Sequence, residues 1–246
     1  MQYNVGTYLI NMTRRLKFPI LLFCFTFIYN AIFSQSPTEN AGWVFITHTQ
    51  NLSKKFKALA DVQLRTGDKF IHFKTLLLRG ALGYKINKEQ SAALGYAYKN
   101  DWKEENGMLT HSPENRIYEQ YLFEARIKRT QVSFRLRQEQ RFVKETKDYQ
   151  FSQRSRVFLS FQIPLAANAD FSNGFYATIQ NEVFLNTQHK EKVNNNLFDQ
   201  NRPFISMGYR WSKKIDTEIG YMYWLQREDE RDVSTNVFQL MFTTEL

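Results

Sequence analysis

The residues best equipped for chemistry in this chain are arginines and glutamates set two positions apart. Arg135, Arg137, Glu139 and Arg141 alternate within TQVSFRLRQEQRF at 130–142, and Arg154 and Arg156 repeat the spacing. A spacing of two places side chains on one face of a β-strand. Guanidinium forks then stand in a row, each able to grip a carboxylate through parallel N–H bonds. Such a row pairs, holds or attracts charge. Glu182, Arg202 and Glu218 occupy the polar phase of later segments, as do Arg65, Arg79, Glu124, Arg126 and Arg210.

Bond-making chemistry has thinner support. The four histidines are His48, His72, His111 and His189. Only His111 has an adjacent serine, Ser112, and THSPEN around it reads as a loop with a proline turn. Neighbours in sequence rarely serve as nucleophile and base, because that pairing is spatial. No GxSxG, HExxH or phosphate-loop pattern occurs. The single cysteine, Cys24, lies in an apolar leader, so the rest of the chain offers no disulfide and no thiolate metal site. The expectation is a non-enzymatic protein without metal or cofactor.

The elements that must carry these residues are strands. After Gly42 the dominant pattern has period two. Val132, Phe134 and Leu136 oppose the arginine row; Val157, Leu159, Phe161 and Ile163 oppose Arg154 and Arg156. The same holds for Phe175, Ala177 and Ile179 against Glu182, and for Ile215, Ile219 and Tyr221 against Glu218. Candidate strands fall near 42–50, 55–65, 73–86, 90–100, 116–128, 131–143, 153–164, 174–187, 201–211, 215–227 and 235–246. Most match the roughly 9–11 residues that cross a bilayer at a tilt. Connections alternate between short turns, at 51–54, 87–89, 128–130 and 212–214, and longer polar loops, at 101–115, 144–152, 188–200 and 228–234. Segment 165–173 departs from that rhythm. Eleven segments conflict with the even strand numbers of bacterial single-chain barrels, so ten or twelve strands are expected.

Upstream, Arg14, Arg15 and Lys17 precede an apolar run from Phe18 to about Tyr29. Ile32 and Ser34 suit a signal-peptidase site, which predicts a secretory leader over 1–34, a short linker over 35–41 and one domain over 42–246. The formal charge of +9 includes the three leader cations, leaving +6 beyond Ser34. Those charges are spread through strands rather than gathered in a run, which argues against nucleic acid. Mean hydropathy is −0.51, which excludes a bundle of membrane helices but not a barrel whose faces alternate.

Aromatic residues make up 16% of the chain, a heavy load that suits interfacial girdles. Trp43, Trp102, Trp211 and Trp224 are expected there, with Tyr84, Tyr96, Tyr98, Tyr209, Tyr221 and Tyr223. The last strand, VFQLMFTTEL, carries Phe238, Leu240, Phe242 and Leu246 on one face, interrupted by Thr244, and resembles the signal read by the outer-membrane assembly machinery.

Three stretches carry a resemblance: FRLRQEQRF at 134–142, QNRPFISMGYRW at 200–211 and EIGYMY at 218–223. In them Arg135, Arg137, Glu139 and Arg141 are followed by Asn201, Arg202, Gly208 and Tyr209, then by Glu218, Gly220 and Tyr221. The chain resembles an uncharacterised, Bacteroidetes-type outer-membrane β-barrel family known only as a domain of unknown function. The resemblance implies a barrel and no assigned activity.

The sequence thus predicts an all-β, antiparallel transmembrane barrel of 10–12 strands in the outer membrane of a Gram-negative bacterium. Its partners would be membrane lipids, the assembly machinery and a small anionic solute. Arg135, Arg137, Glu139, Arg141, Arg154, Arg156, Glu182, Arg202 and Glu218 would form a lumenal ion-pair network. That network either fills a structural barrel or lines a narrow anion-biased channel. A lipid-modifying outer-membrane enzyme and a soluble periplasmic ligand-binding β-protein are the alternatives.

Overall fold

Long segments of period two can satisfy their backbone groups only by pairing edge to edge, and here the pairing runs full circle. The computed structural model describes residues 38–70, 72–105, 108–145, 148–228 and 231–246. The expected leader lies outside them. The strands are β1 (Thr38–Asn51), β2 (Phe56–Thr66), β3 (Phe73–Lys85), β4 (Gln90–Glu105), β5 (Met108–Ile127) and β6 (Thr130–Glu145). They continue as β7 (Asp148–Ala167), β8 (Gly174–Gln188), β9 (Phe198–Asn201), β10 (Phe204–Ser212), β11 (Ile215–Arg227) and β12 (Asp232–Glu245).

β9 and β10 are two halves of one stave. Both lie between β8 and β11 and pair antiparallel with each. The break falls at Arg202 and Pro203, where proline has no N–H to give the ladder. The barrel therefore has eleven staves, as many as the segments read from the sequence. The expected revision to ten or twelve was mistaken. The closing pair resolves the parity: β1 runs parallel to β12, with Thr38 opposite Ser234 and Thr49 opposite Glu245. Every other neighbouring pair is antiparallel. An odd ring built from hairpins must contain one such parallel seam.

Two of the expected loops are not loops. Residues 101–105 and 108–115 continue the β4–β5 hairpin, and 144–145 and 148–152 the β6–β7 hairpin, paired as far as Glu105 with Met108 and Glu145 with Asp148. Outward residues there, such as His111, Asn115 and Lys144, are polar like the inward ones, so alternation fades while the ladder continues. The hairpin tips rise at the rim where β1 begins. At the opposite rim lie the short turns and the 168–173 loop.

The two faces of the wall are sorted by polarity. Outward side chains include Leu94 (59% exposed), Ile219 (65%), Ile205, Ile179 and Leu82, while the inward Arg154 and Glu139 are 4% and 1% exposed. On β7 the outward row Val157, Leu159, Phe161, Ile163 and Leu165 is wholly apolar. Eight steps of ~3.3 Å give it ~26 Å along the strand, comparable with the apolar band of a membrane barrel. Over most of the wall the outward face is the apolar one.

Candidate functional site: a charged lumen open at one end

The core of the lumen is built on β5, β6, β7 and β8. Register places Arg137 opposite Arg156 and Glu139 opposite Arg154, so like and unlike charges meet across one ladder. Glu139 is the hub. Its Oε2 accepts from Arg154 Nε (3.0 Å) and Nη2 (2.7 Å), and its Oε1 from Arg156 Nη1 (2.7 Å). Arg137 and Arg116 approach the same carboxylate at 3.8 and 4.0 Å. Arg156 reaches on to Glu182 with Nε (3.0 Å) and Nη2 (2.8 Å), and Arg135 joins Glu182 at 2.8 Å.

Sequence reasoning missed several members. Glu114 accepts a bidentate grip from Arg116 (2.8 and 2.7 Å) and a bond from Arg141. Asp61 is gripped bidentately by Arg79 at 2.7 and 2.8 Å. Asp199 takes Arg154 Nη1 at 2.9 Å, and Lys99 pairs with Asp101. Glu114, Asp101 and Asp199 fell in stretches that read as polar loops. Asp61 and Lys99 shared the phase of Arg65 and Arg79, a signal that could have found them.

Two expected members are in the lumen but outside the ion pairing. Glu218 accepts hydroxyls instead, from Tyr176 (3.1 Å) and from Ser206. Arg202 donates to Gln200 (2.7 Å) and lies over the rings of Phe184, Trp224 and Trp43 at 4.5, 4.8 and 5.3 Å. Glu124 and Arg126 have the inward phase but are exposed at the short-turn rim, beyond the network.

Below the network a packed layer fills the lumen beside β7, β8, β10 and β11. The 168–173 loop turns inward and buries Phe171, which is 2% exposed and has a left-handed backbone (φ 53°). Arg210 stacks on its ring at 4.1 Å and donates to its carbonyl at 3.1 Å. The same guanidinium clasps Asp216 through two 2.9 Å bonds and reaches Gln162 at 2.8 Å. Tyr176, fully buried, lies across Gly208 on the adjacent stave, where a Cβ would overlap its ring. Outside this layer Asp170 accepts from the Ser172 hydroxyl (2.8 Å) and faces Lys213 (3.0 Å). The first contact leads in holding its carboxyl down to about 2.

Above the network is a cavity of 630 Å³ that reaches the hairpin rim. One wall is cationic. The other, from β1, β11 and β12, is apolar: Ala41, Trp43, Phe45, Met222, Trp224 and Met241 line it, and Phe204 of β10 and Val237 pack in the same cluster. Trp43 and Trp224 thus face the lumen, not an interfacial girdle as expected. Their strands turn an apolar row inward as well as outward. The other girdle candidates have the outward phase; Trp211 (59% exposed) and Tyr96 (50%) stand clear of the wall, and Tyr209 packs between Phe175 and Trp211.

Above this layer and below the mouth residues Glu39, Lys74, Lys103 and Glu228, the described residues of the lumen include ten cations, Arg65, Arg79, Lys99, Arg116, Arg135, Arg137, Arg141, Arg154, Arg156 and Arg202, against six carboxylates. The excess is four positive charges. His111 and Ser112 are consecutive residues of β5, not of a loop, and so point to opposite faces. His111 meets Asn100 (3.4 Å), and the Ser112 hydroxyl donates to the Lys144 carbonyl (3.5 Å).

The motif strands, β6, β9–β10 and β11, each send residues into this lumen: Glu139, Arg202 and Glu218. A family described as a protein of unknown function, DUF2490, matches residues 40–235, all three motifs included. The chain belongs to the DUF2490 family. The match agrees with the resemblance read from the sequence and spans nearly the whole barrel. This DUF2490 chain is also 30% identical over 165 residues to an uncharacterized protein of Methylorubrum extorquens, covering 66% of this chain and 68% of that one. No solved structure matches it.

Proposed function

We propose that this DUF2490 chain is a non-enzymatic, integral outer-membrane barrel of a Gram-negative bacterium, whose lumen is a blind, anion-attracting vestibule rather than an open pore. The observation that carries the reading is the polarity of the wall: leucine, isoleucine and phenylalanine outward, arginine and glutamate inward. In water that arrangement exposes a large apolar surface; in a bilayer it is the stable one. The long hairpins mark the outer rim and the short turns the periplasmic rim. The vestibule then opens outward, and the Phe171–Tyr176–Arg210 layer seals the periplasmic end. Phe238, Leu240 and Phe242 on β12 face lipid and supply the assembly signal. The excess of four cations sets a positive potential that draws anions inward.

The reading predicts resistance to alkaline carbonate extraction and heat-modifiable migration on gels. In planar bilayers the wild type should show no steady open level, and Phe171→Ala should open an anion-selective conductance. Extraction by carbonate, or a cation-selective wild-type pore, refutes it.

A further inference from the structure

The ten lumenal cations are not equivalent. Eight have a carboxylate within 4.0 Å. Arg65 and Arg202 have none among the described residues. Each donates to a single glutamine, Gln63 or Gln200, and each leaves a buried Nε with no protein acceptor. Both are nonetheless held in place, because they share one aromatic support: Arg65 lies 3.9 Å and Arg202 5.3 Å from the Trp43 ring centre. Two fixed, desolvated guanidinium groups without a carboxylate in contact form a poised receptor for an anion.

Their surroundings define the rest of the ligand. Both arginines line the 630 Å³ cavity, a volume within the usual range for small-molecule sites. Trp43, Phe45, Trp224 and Met241 line the same cavity and form an apolar surface inside a lumen otherwise built of charge. A bare inorganic anion would use the arginines and leave that surface wet. A fully apolar ligand would do the reverse. Only a molecule with both parts uses both walls.

We propose that the vestibule binds an amphipathic organic anion, its carboxylate on Arg65 and Arg202 and its apolar body against the Trp43–Phe45–Trp224 wall. The proposal rests on the vestibule reading above and names its ligand class. At the mouth Lys74 and Lys103 are matched by Glu39 and Glu228, so the excess positive charge lies deeper, with Arg65 and Arg202 in it.

The test uses the full barrel in lipid nanodiscs and calorimetric titration with 2-naphthoate, a carboxylate on a flat apolar body. The comparison probes are 2-naphthylmethanol, which lacks the charge, and inorganic phosphate, which lacks the body. Naphthoate should bind at least tenfold tighter than either. Arg65→Met with Arg202→Met should cut naphthoate affinity at least tenfold and leave binding of the alcohol unchanged. Arg126→Met, at the far rim, should change nothing. Equal binding of naphthoate and its alcohol, equal binding of phosphate, or full affinity in the double variant overturns the proposal. If the double variant loses heat-modifiable migration, the three-probe comparison on wild type decides alone. Carbonate extraction separates the two readings. An extractable protein that still prefers naphthoate keeps the site and loses the membrane; an integral one without the preference loses only the site.

Discussion

Glu139→Gln is the sharpest probe of the lumen. The change keeps shape and removes one negative charge from a side chain that is 1% exposed. Three charge-assisted bonds at 2.7–3.0 Å end on that carboxylate. An amide oxygen can still accept from one arginine, but its NH2 then points donor to donor at the other. Removing one partner of a buried pair typically costs ~3–5 kcal/mol. The structure points to the lower figure, because neither arginine is orphaned: Arg154 keeps Asp199 and Arg156 keeps Glu182. A loss of ~3 kcal/mol is about a hundredfold in the folding equilibrium. Urea unfolding of the barrel in lipid vesicles, followed by tryptophan fluorescence and gel migration, reads it directly. Arg65→Met is the matched opposite. It removes a cation that has no carboxylate, lowers the excess charge from four to three, and should leave stability unchanged within ~0.5 kcal/mol or raise it. A cost below ~1 kcal/mol for Glu139→Gln, or an equal cost for both variants, would refute the hub assignment.

Other outcomes follow from particular contacts. Gly208→Ala should destabilise by ~1–3 kcal/mol, because its methyl group overlaps the immobile Tyr176 ring, and Tyr176→Ala should relieve most of that cost in the same urea assay. In vesicles of brominated lipid, Trp211→Phe should reduce fluorescence quenching and Trp43→Phe should not, since only Trp211 faces outward. The Asp170 carboxyl, depressed when folded, lends stability above its ordinary value near 3.8 and loses it as pH falls through about 2. Pepsin cleavage in the 168–173 loop should therefore rise across that window. Asp170→Asn should be cleaved equally throughout, and a persisting pH step would show that another group governs the loop.

What could be read in advance depended on whether two environments lay on either side of the strand. Where outward and lumen-facing residues differ, as along Val132–Arg141 and Arg154–Ile163, the strands and their phase were plain. The arginine row came with them. Where both faces are polar, the signal vanished, and with it Glu114, Asp101 and Asp199, which complete the pairing. Trp43 and Trp224 failed for the opposite reason: both faces of their strands are apolar at that height, so composition alone could not tell lumen from interface. Phe171 gave no warning either. Its burial depends on a loop folding back into the barrel, a contact that no local pattern encodes.

The parallel seam between β1 and β12 reaches beyond this one chain. Barrels grow and shrink by gaining or losing hairpins, and each hairpin changes the count by two. Such events preserve parity. A relative with nine or thirteen staves would keep a parallel seam, whereas an even-numbered one would need a single strand to be lost or gained, reversing the direction of everything downstream. The same geometry bars circular permutation by a short linker. Thr38 and Glu245 end at opposite rims, so a connection between them must run the full height of the barrel, through the lumen or along the outer wall. The order of staves is in that sense locked.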